Sequence, residues 1–267
     1  LRGYEHAESE PNGGIGTLFE VSGEELRATI GFGDDAARQG TLGLQWQHVD
    51  LVATGEEAFI PSTTTRTVGL FGFQRHRFDA ASLEYGFRLD QQRITGAPAG
   101  AYDDNAINLS VGSVWPVAEN LSLVGQLTYS DRHPSATELY ADGPHVATQQ
   151  FEVGDPDLDT ERGVTAEAGL RLEGTGFTGE LRVFASRYHD FIYLAPTGAE
   201  EDELPVFAYR QRDSRFEGVE AEFEIPFGDS PVTLALTGEY LRGRLEGGDD
   251  LPRMPPLGLG ARLGVRV

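Results

Sequence analysis

The sequence predicts an all-β chain: a transmembrane, antiparallel, up-and-down β-barrel, present here in part, as about twelve strands of a larger barrel. Three observations predict it. Apolar and polar residues alternate with a period of two over stretches of ten or more residues, well beyond the ~5 or 6 usual in soluble sheets. The connections divide into short, turn-like ones and long, polar ones. Aromatic residues (Trp46, Trp115, Tyr129, Tyr188, Phe191, Tyr193 and Tyr240) gather near strand ends, where an interfacial girdle would hold them. A soluble β-sandwich shares the alternation, but not the strand length or the segregation of loops.

The alternation is plainest in "ASLEYGFRLD", where Ala81, Leu83, Tyr85, Phe87 and Leu89 share one face and Ser82, Glu84, Gly86, Arg88 and Asp90 the other. Further on, Val164, Ala166, Ala168, Leu170 and Leu172 oppose Thr165, Glu167, Gly169, Arg171 and Glu173. Val219, Ala221, Phe223 and Ile225 oppose Glu220, Glu222 and Glu224, and Leu257 to Val267 alternates apolar residues with Gly and Arg. Leu83, Tyr85, Phe87, Leu170, Phe223 and Leu263 are therefore expected to face lipid, with Glu84, Arg88, Arg171 and Glu222 facing the lumen. Short turns are expected at Gly33 to Gln39, Arg75 to Asp79, Pro116 to Asn120, Gly174 to Phe177 and Phe227 to Pro231. Long loops are expected around residues 51–62, 94–104, 132–161, 194–203 and 245–255. No segment carries a helical stripe, and no run of 18 apolar residues is present, which excludes a transmembrane helix and leaves a barrel open.

Composition narrows the partners. The 267 residues carry a net charge of −22, with 21 basic residues that are all Arg, so nucleic acid and anionic surfaces should repel the chain as a whole and cations should attract it. With no Cys, neither disulfides nor thiolate metal sites are available, and any metal must be held by His, Asp or Glu. No G-x-S-x-G elbow, P-loop, H-E-x-x-H motif or Cys nucleophile occurs, so no enzyme is indicated. "LRGYEHAESE" lacks the features of a signal peptide.

The loop "ELYADGPHVATQQFEVGDPDLDTERG", Glu138 to Gly163, has no clear periodicity although strong strands flank it. A stretch of that length is usually functional or disordered. Asp155, Asp157 and Asp159 have the spacing of the first positions of a Ca²⁺ loop, without the Gly and distal Glu of an EF-hand. His48, His76 and His189 lie in strand contexts, and His133 stands before Pro134 at a strand end.

The wording of this region resembles TonB-dependent outer-membrane receptors. "RHPSATELYADG" is similar to their "R-P-…-E-L-Y" strand end, "GDPDLDTER" to the closing "G-D/N-P-x-L-…-E-R/K", "FEGVEAEFEIPF" to a "G-V-E" strand, and "LPRMPPLGLGARL" to an "R-x-P-P" strand entry. "GEEAFIPSTTTRTVGLF" and "ELYADGPHVATQQFEVGDPDL" resemble the zinc-uptake branch.

The resemblance implies one domain over residues 1–267, the receptor barrel portion, with no plug domain in this chain. It implies the bacterial outer membrane as location, outer-membrane lipid and a TonB complex as partners, the latter through a plug absent from the chain, and zinc as the transported ligand rather than a cofactor. His145 and Glu57, or its neighbour Glu56, become metal ligands by this resemblance. Glu138 and Asp142 are further candidates in the long loop, and His6 and Glu8 should reach the same side. An iron chelate or haem, or a passive structural barrel, are the alternative functions.

Overall fold

The computed structural model describes residues 2–9, 14–35, 37–55, 57–145, 147–174, 176–228 and 230–265. Twelve strands lie edge to edge in chain order: β1 (Arg2–Ser9), β2 (Ile15–Asp35), β3 (Arg38–Thr54), β4 (Thr63–Phe78), β5 (Ala81–Thr95), β6 (Tyr102–Ala118), β7 (Leu121–Arg132), β10 (Glu161–Gly174), β11 (Phe177–Glu201), β12 (Leu204–Pro226), β13 (Val232–Leu245) and β14 (Gly258–Val265). All of these neighbours are antiparallel. Between β7 and β10 the chain leaves the wall to form α1 (Ala136–Tyr140), β8 (Asp142–His145) and β9 (Gln150–Val153). β8 pairs with β9, and β9 runs parallel to β12 at Val206 to Ala208. β1 and β14 are not paired with each other among the described residues, so the sheet is open.

Register fixes the faces, because directly opposed residues share a side of the sheet. Tyr85, Phe87 and Leu89 stand opposite Val111, Leu109 and Ile107, and all six are exposed. On the other face Arg88, Asp90 and Gln92 lead up to Ile94, which is 1% exposed beneath the folded loop, so this face is the inner one. Leu83, Tyr85, Phe87, Leu170, Phe223 and Leu263 fall on the outer face and Glu84, Arg88, Arg171 and Glu222 on the inner face, as the alternation predicts. Among the described residues all strands belong to one sheet, which leaves no second layer for a sandwich.

Inner charges pair with one another. Arg88 binds Asp90 through both Nε and Nη2, each at 2.6 Å, and Arg75 bonds Glu84. Arg27 lies 4.5 Å above the Phe71 ring.

Two expectations change. The stretch 194–203 is not a loop: β11 and β12 continue through it to a two-residue turn at Asp202 and Glu203, whose φ values of 49° and 63° suit the primed turns of hairpins. The loop after Glu138 is likewise ordered. Ser135 accepts from the Glu138 amide while the Glu138 carboxylate accepts from the Ser135 amide at 2.8 Å, a capping box that starts α1. "S-A-T-E" is the signature of that box, and it overrides the lack of periodicity in so short a helix.

The insert carries its own apolar core against the inner wall. Leu139, Tyr140 and Leu158 pack with Ile94 and Ile192, and Ala141 packs with Phe19, Phe59 and Ile60. Gly154 makes the packing possible, since a Cβ there would stand 2.7 Å from Ala141 N, Leu139 C and Tyr140 N, while its own amide bonds Ala141 O at 2.6 Å. Gly154→Ala is expected to loosen the insert by about 1–3 kcal/mol. The expected readout is several-fold faster proteolytic nicking between residues 141 and 154, with the melting of the barrel unchanged. Equal nicking rates would show that the insert tolerates the methyl.

Candidate functional site at the extracellular mouth

The long connections and the insert mark one end of the wall as extracellular, as in barrels with short periplasmic turns. Here β8 brings His145 against two carboxylates. Its Nδ1 lies 2.8 Å from Glu152 Oε1 on β9, and its Nε2 lies 3.2 Å from Glu8 Oε1 on β1. Both carboxylates are nearly inaccessible, at 4% side-chain exposure, while the imidazole retains 22%. The ring stacks on Phe59 at 4.3 Å with planes 14° apart. Gly143 permits this approach: a Cβ would meet Phe59 Cα at 3.0 Å. Phe59 meets Phe19 edge-on, and Phe19 stacks on His6, whose Nε2 is 3.9 Å from Glu8 Oε1.

Glu152 is held from three sides. Thr148 Oγ1 donates to Oε1 and the Tyr209 hydroxyl to Oε2, each at 3.2 Å, beside the imidazole. Burial opposes its ionisation, yet the bonds from His145, Tyr209 and Thr148 leave its pKa below the usual value. Burial, then the Glu152 charge, pushes the Tyr209 phenol up, so it remains a donor. The Glu152 hydrogen bond, against the effect of burial, raises His145 above its ordinary value.

Each shift gives a pH window. The raised His145 holds the β8–β9 hairpin most firmly below its unfolded value of 6.5, and that contribution is lost as pH rises through its higher folded value. The lowered Glu152 contributes above its unfolded value of 4.5, and that is lost as pH falls through its lower folded value. Amide exchange in β8 and β9 of the metal-free protein is therefore expected to be slowest between pH 4.5 and 6.5, after correction for intrinsic rates. A protection profile without that optimum would contradict the latch.

At this end of the wall three buried oxygens lack hydrogen-bond partners among the described residues. Glu8 Oε2, Thr17 Oγ1 and Glu57 Oε2 are each buried and make no hydrogen bond. Glu8 and Thr17 are register partners, and the Glu57 amide bonds the carbonyl of Gly16, the residue before Thr17, at 3.3 Å. Gly55 sets that approach: its φ is +134°, and a Cβ would lie 2.0 Å from Gly16 O. Buried oxygens left without donors are costly, and ordered water or a cation satisfies them. Among the described residues no three His, Asp or Glu side chains already stand in metal-holding geometry. The contacts around His145 are hydrogen-bond lengths, longer than the ~2.0–2.2 Å of zinc to nitrogen or oxygen.

The sequence-derived candidates divide accordingly. His145 is at the centre; its ion pairs among the described residues are with Glu8 and Glu152, not with Glu57. Glu57 is tied by its amide to Gly16, and Glu56 lies outside the described residues. Glu138 is occupied: besides capping α1 it binds Arg132 Nη1 at 2.9 Å. Asp142 is exposed at the start of β8, where its amide bonds Phe59 O. Asp155 caps a turn, accepting from the Asp157 amide at 3.0 Å. His133 bonds the Tyr102 hydroxyl at 3.0 Å, and burial lowers its pKa.

Glu152 and Tyr209 are site residues that sequence reading passes over. The one signal for Glu152 is its placement seven residues from His145, which a four-residue hairpin pairing converts to a contact.

An open sheet of long antiparallel strands, apolar outside and charged within, with a folded insert at its mouth, defines the wall of an outer-membrane β-barrel. The chain belongs to the TonB-dependent receptor family: the family described as "TonB dependent receptor-like, beta-barrel" matches residues 4–266. Among similar solved structures are the copper transporter OprC (17% identity, TM-score 0.75, covering 93% of this chain and 42% of that one) and the FrpB iron transporter from Neisseria meningitidis (15%, 0.66, 87% and 37%). A third is a double mutant of the Serratia marcescens hemophore receptor HasR in complex with its hemophore HasA and heme (18%, 0.67, 84% and 42%). The chain thus spans less than half the length of each. These likenesses establish the fold, and membership of the family places the chain in the outer membrane.

Proposed function

We propose that this chain is the barrel portion of a receptor that captures a divalent transition-metal ion, zinc, at its extracellular mouth for TonB-driven uptake, with the remaining ligands and the gate supplied by a plug domain of the full-length receptor. The observation that carries the reading is the buried, unpartnered Oε2 of Glu8, whose Oε1 lies 3.2 Å from the Nε2 of His145. His145 and Glu8 would bind the ion directly, and Glu57 would join them.

Glu152 holds the Nδ1 side of the ring, as carboxylates do behind metal-bound imidazoles, and orients Nε2 toward the ion. Imidazole with carboxylates favours zinc and its neighbours over Ca²⁺ or Mg²⁺, which take oxygen shells. Since the metal must displace the proton that Glu152 and Glu8 favour, affinity falls as pH drops through a value above the ordinary 6.5. The titrations that decide it are zinc, a ferric siderophore and haem, each against the full-length receptor. Tight zinc binding and no binding of the other two is the expected outcome; the reverse preference would overturn the proposal.

A second reading has a specific feature in its favour. A depression of about 570 Å³ beside the site is lined by Phe59, Ile60, Pro61, Pro98 and Tyr140, an apolar surface of the kind that accepts a haem or an aromatic iron chelate.

A further inference from the structure

We propose that the outer face of β10–β13 carries an arginine-lined seat for the phosphorylated headgroup of an outer-leaflet lipid. Arg187, Arg215 and Arg244 are register partners on three consecutive strands, so three like charges stand in one row on one face. Directly opposed strand residues have Cβ atoms about 4.5–5.5 Å apart, and like charges at that spacing destabilise a sheet. The row therefore lacks an internal reason to exist. Arg187 and Arg215 are exposed and have no hydrogen bond or ion pair among the described residues. Arg244 has only a 3.9 Å approach to Asp250.

Position identifies the ligand. Toward the short-turn end, the same face carries Ala185, Val183 and Leu181 on β11, Val219 and Ala221 on β12, and Tyr240 and Leu236 on β13. The arginines stand at the extracellular border of this apolar band, next to a Tyr of the interfacial kind. That is the depth of lipid headgroups. Arg162 on β10, opposite Asp131, and Arg242 on β13, opposite Glu217 and 3.8 Å from Asp250, border the row. A hollow of about 270 Å³ opens there between Arg215, Arg242 and Arg244, with the carboxylates of Glu217 and Glu246 also on its rim. Guanidinium forks match phosphate in charge and geometry.

The sector is distinct within its own chain. Elsewhere on the outer face β1–β3 present Glu5, Glu20, Glu24 and Asp50, in keeping with a net charge of −22. A phosphorylated lipid would meet attraction on one side of the barrel and repulsion on the other.

The test uses the full-length receptor in maltoside micelles, titrated with lipid A bearing both phosphates and with the same lipid after phosphate removal. The unaltered receptor is expected to prefer the phosphorylated form by roughly tenfold or more, with a preference that shrinks as salt is raised. The triple variant R187Q/R215Q/R244Q is expected to lose that preference, and E20Q/E24Q to keep it. Equal binding of the two lipids by the unaltered receptor, which needs no variant, would overturn the proposal. So would a folded triple variant with undiminished preference. Competition by millimolar inorganic phosphate as complete as that by the lipid would overturn it in favour of a small-anion site.

Discussion

His145→Ala in the full-length receptor is expected to lower zinc affinity by about a hundredfold or more, the largest effect of any single change here. The imidazole lies between two buried carboxylates, and its Nε2 faces Glu8. Removing it takes away a ligand and leaves Glu152 and Glu8 to repel one another. Glu152→Gln separates the orienting role from the ligand role. It keeps a hydrogen-bond partner for Nδ1 but removes the charge, so affinity should fall by about 10- to 100-fold, the range for partners behind metal ligands. His76→Ala is the control: His76 bonds Tyr85 at 3.2 Å near the short-turn end. Isothermal titration with zinc reads all three. Equal affinity in His145→Ala and the unaltered receptor would turn the insert into a solvated lid and send the search to His6, His133 or the plug.

The second large effect is on structure. Arg132, at the end of β7, binds Glu138 of α1 through Nη1 at 2.9 Å and Glu161 of β10 through Nη2 at 3.0 Å. Glu161 is 7% exposed at its side chain and also accepts the Ile192 amide at 2.9 Å. Arg132→Ala strands that carboxylate, and losing one partner of a buried pair costs several kcal/mol; the partial exposure of Arg132 scales this to about 2–3 kcal/mol. The loss should localise to the insert, because the wall is held by its own ladders. Hydrogen exchange is expected to accelerate by about thirtyfold or more in α1 and β8–β9 and to stay unchanged in β4 and β5. Arg132→Lys keeps the charge but not the fork and should recover only part of the protection. A uniform change over the whole chain would contradict this division of labour.

The wall was legible in the sequence because lipid and lumen impose a period of two on every strand, and "ASLEYGFRLD" has no other reading at that length. The hairpin at residues 194–203 is not legible because Pro196, Thr197 and Gly198 have loop composition, whereas the strands rise beyond the membrane and need no apolar alternation there. α1 was within reach through Ser135 and Glu138, but a five-residue helix is too short to show a stripe. At the site, His145 and Glu57 stood out only by resemblance. What makes His145 distinctive, its contact with Glu8, joins positions 137 residues apart in the chain, and no local pattern encodes a pairing made through the fold. Glu152 is hidden for a related reason, since in sequence it is one carboxylate among 43.

The most direct test of the proposed capture site is X-ray diffraction from the zinc-soaked full-length receptor, with anomalous data collected on both sides of the zinc edge. The account predicts a zinc peak bonded to His145 Nε2 and a Glu8 oxygen at about 2.0–2.2 Å, with Glu152 still bonded to Nδ1. A strong zinc peak elsewhere at the mouth, with His145 still hydrogen-bonded to Glu8, would contradict it.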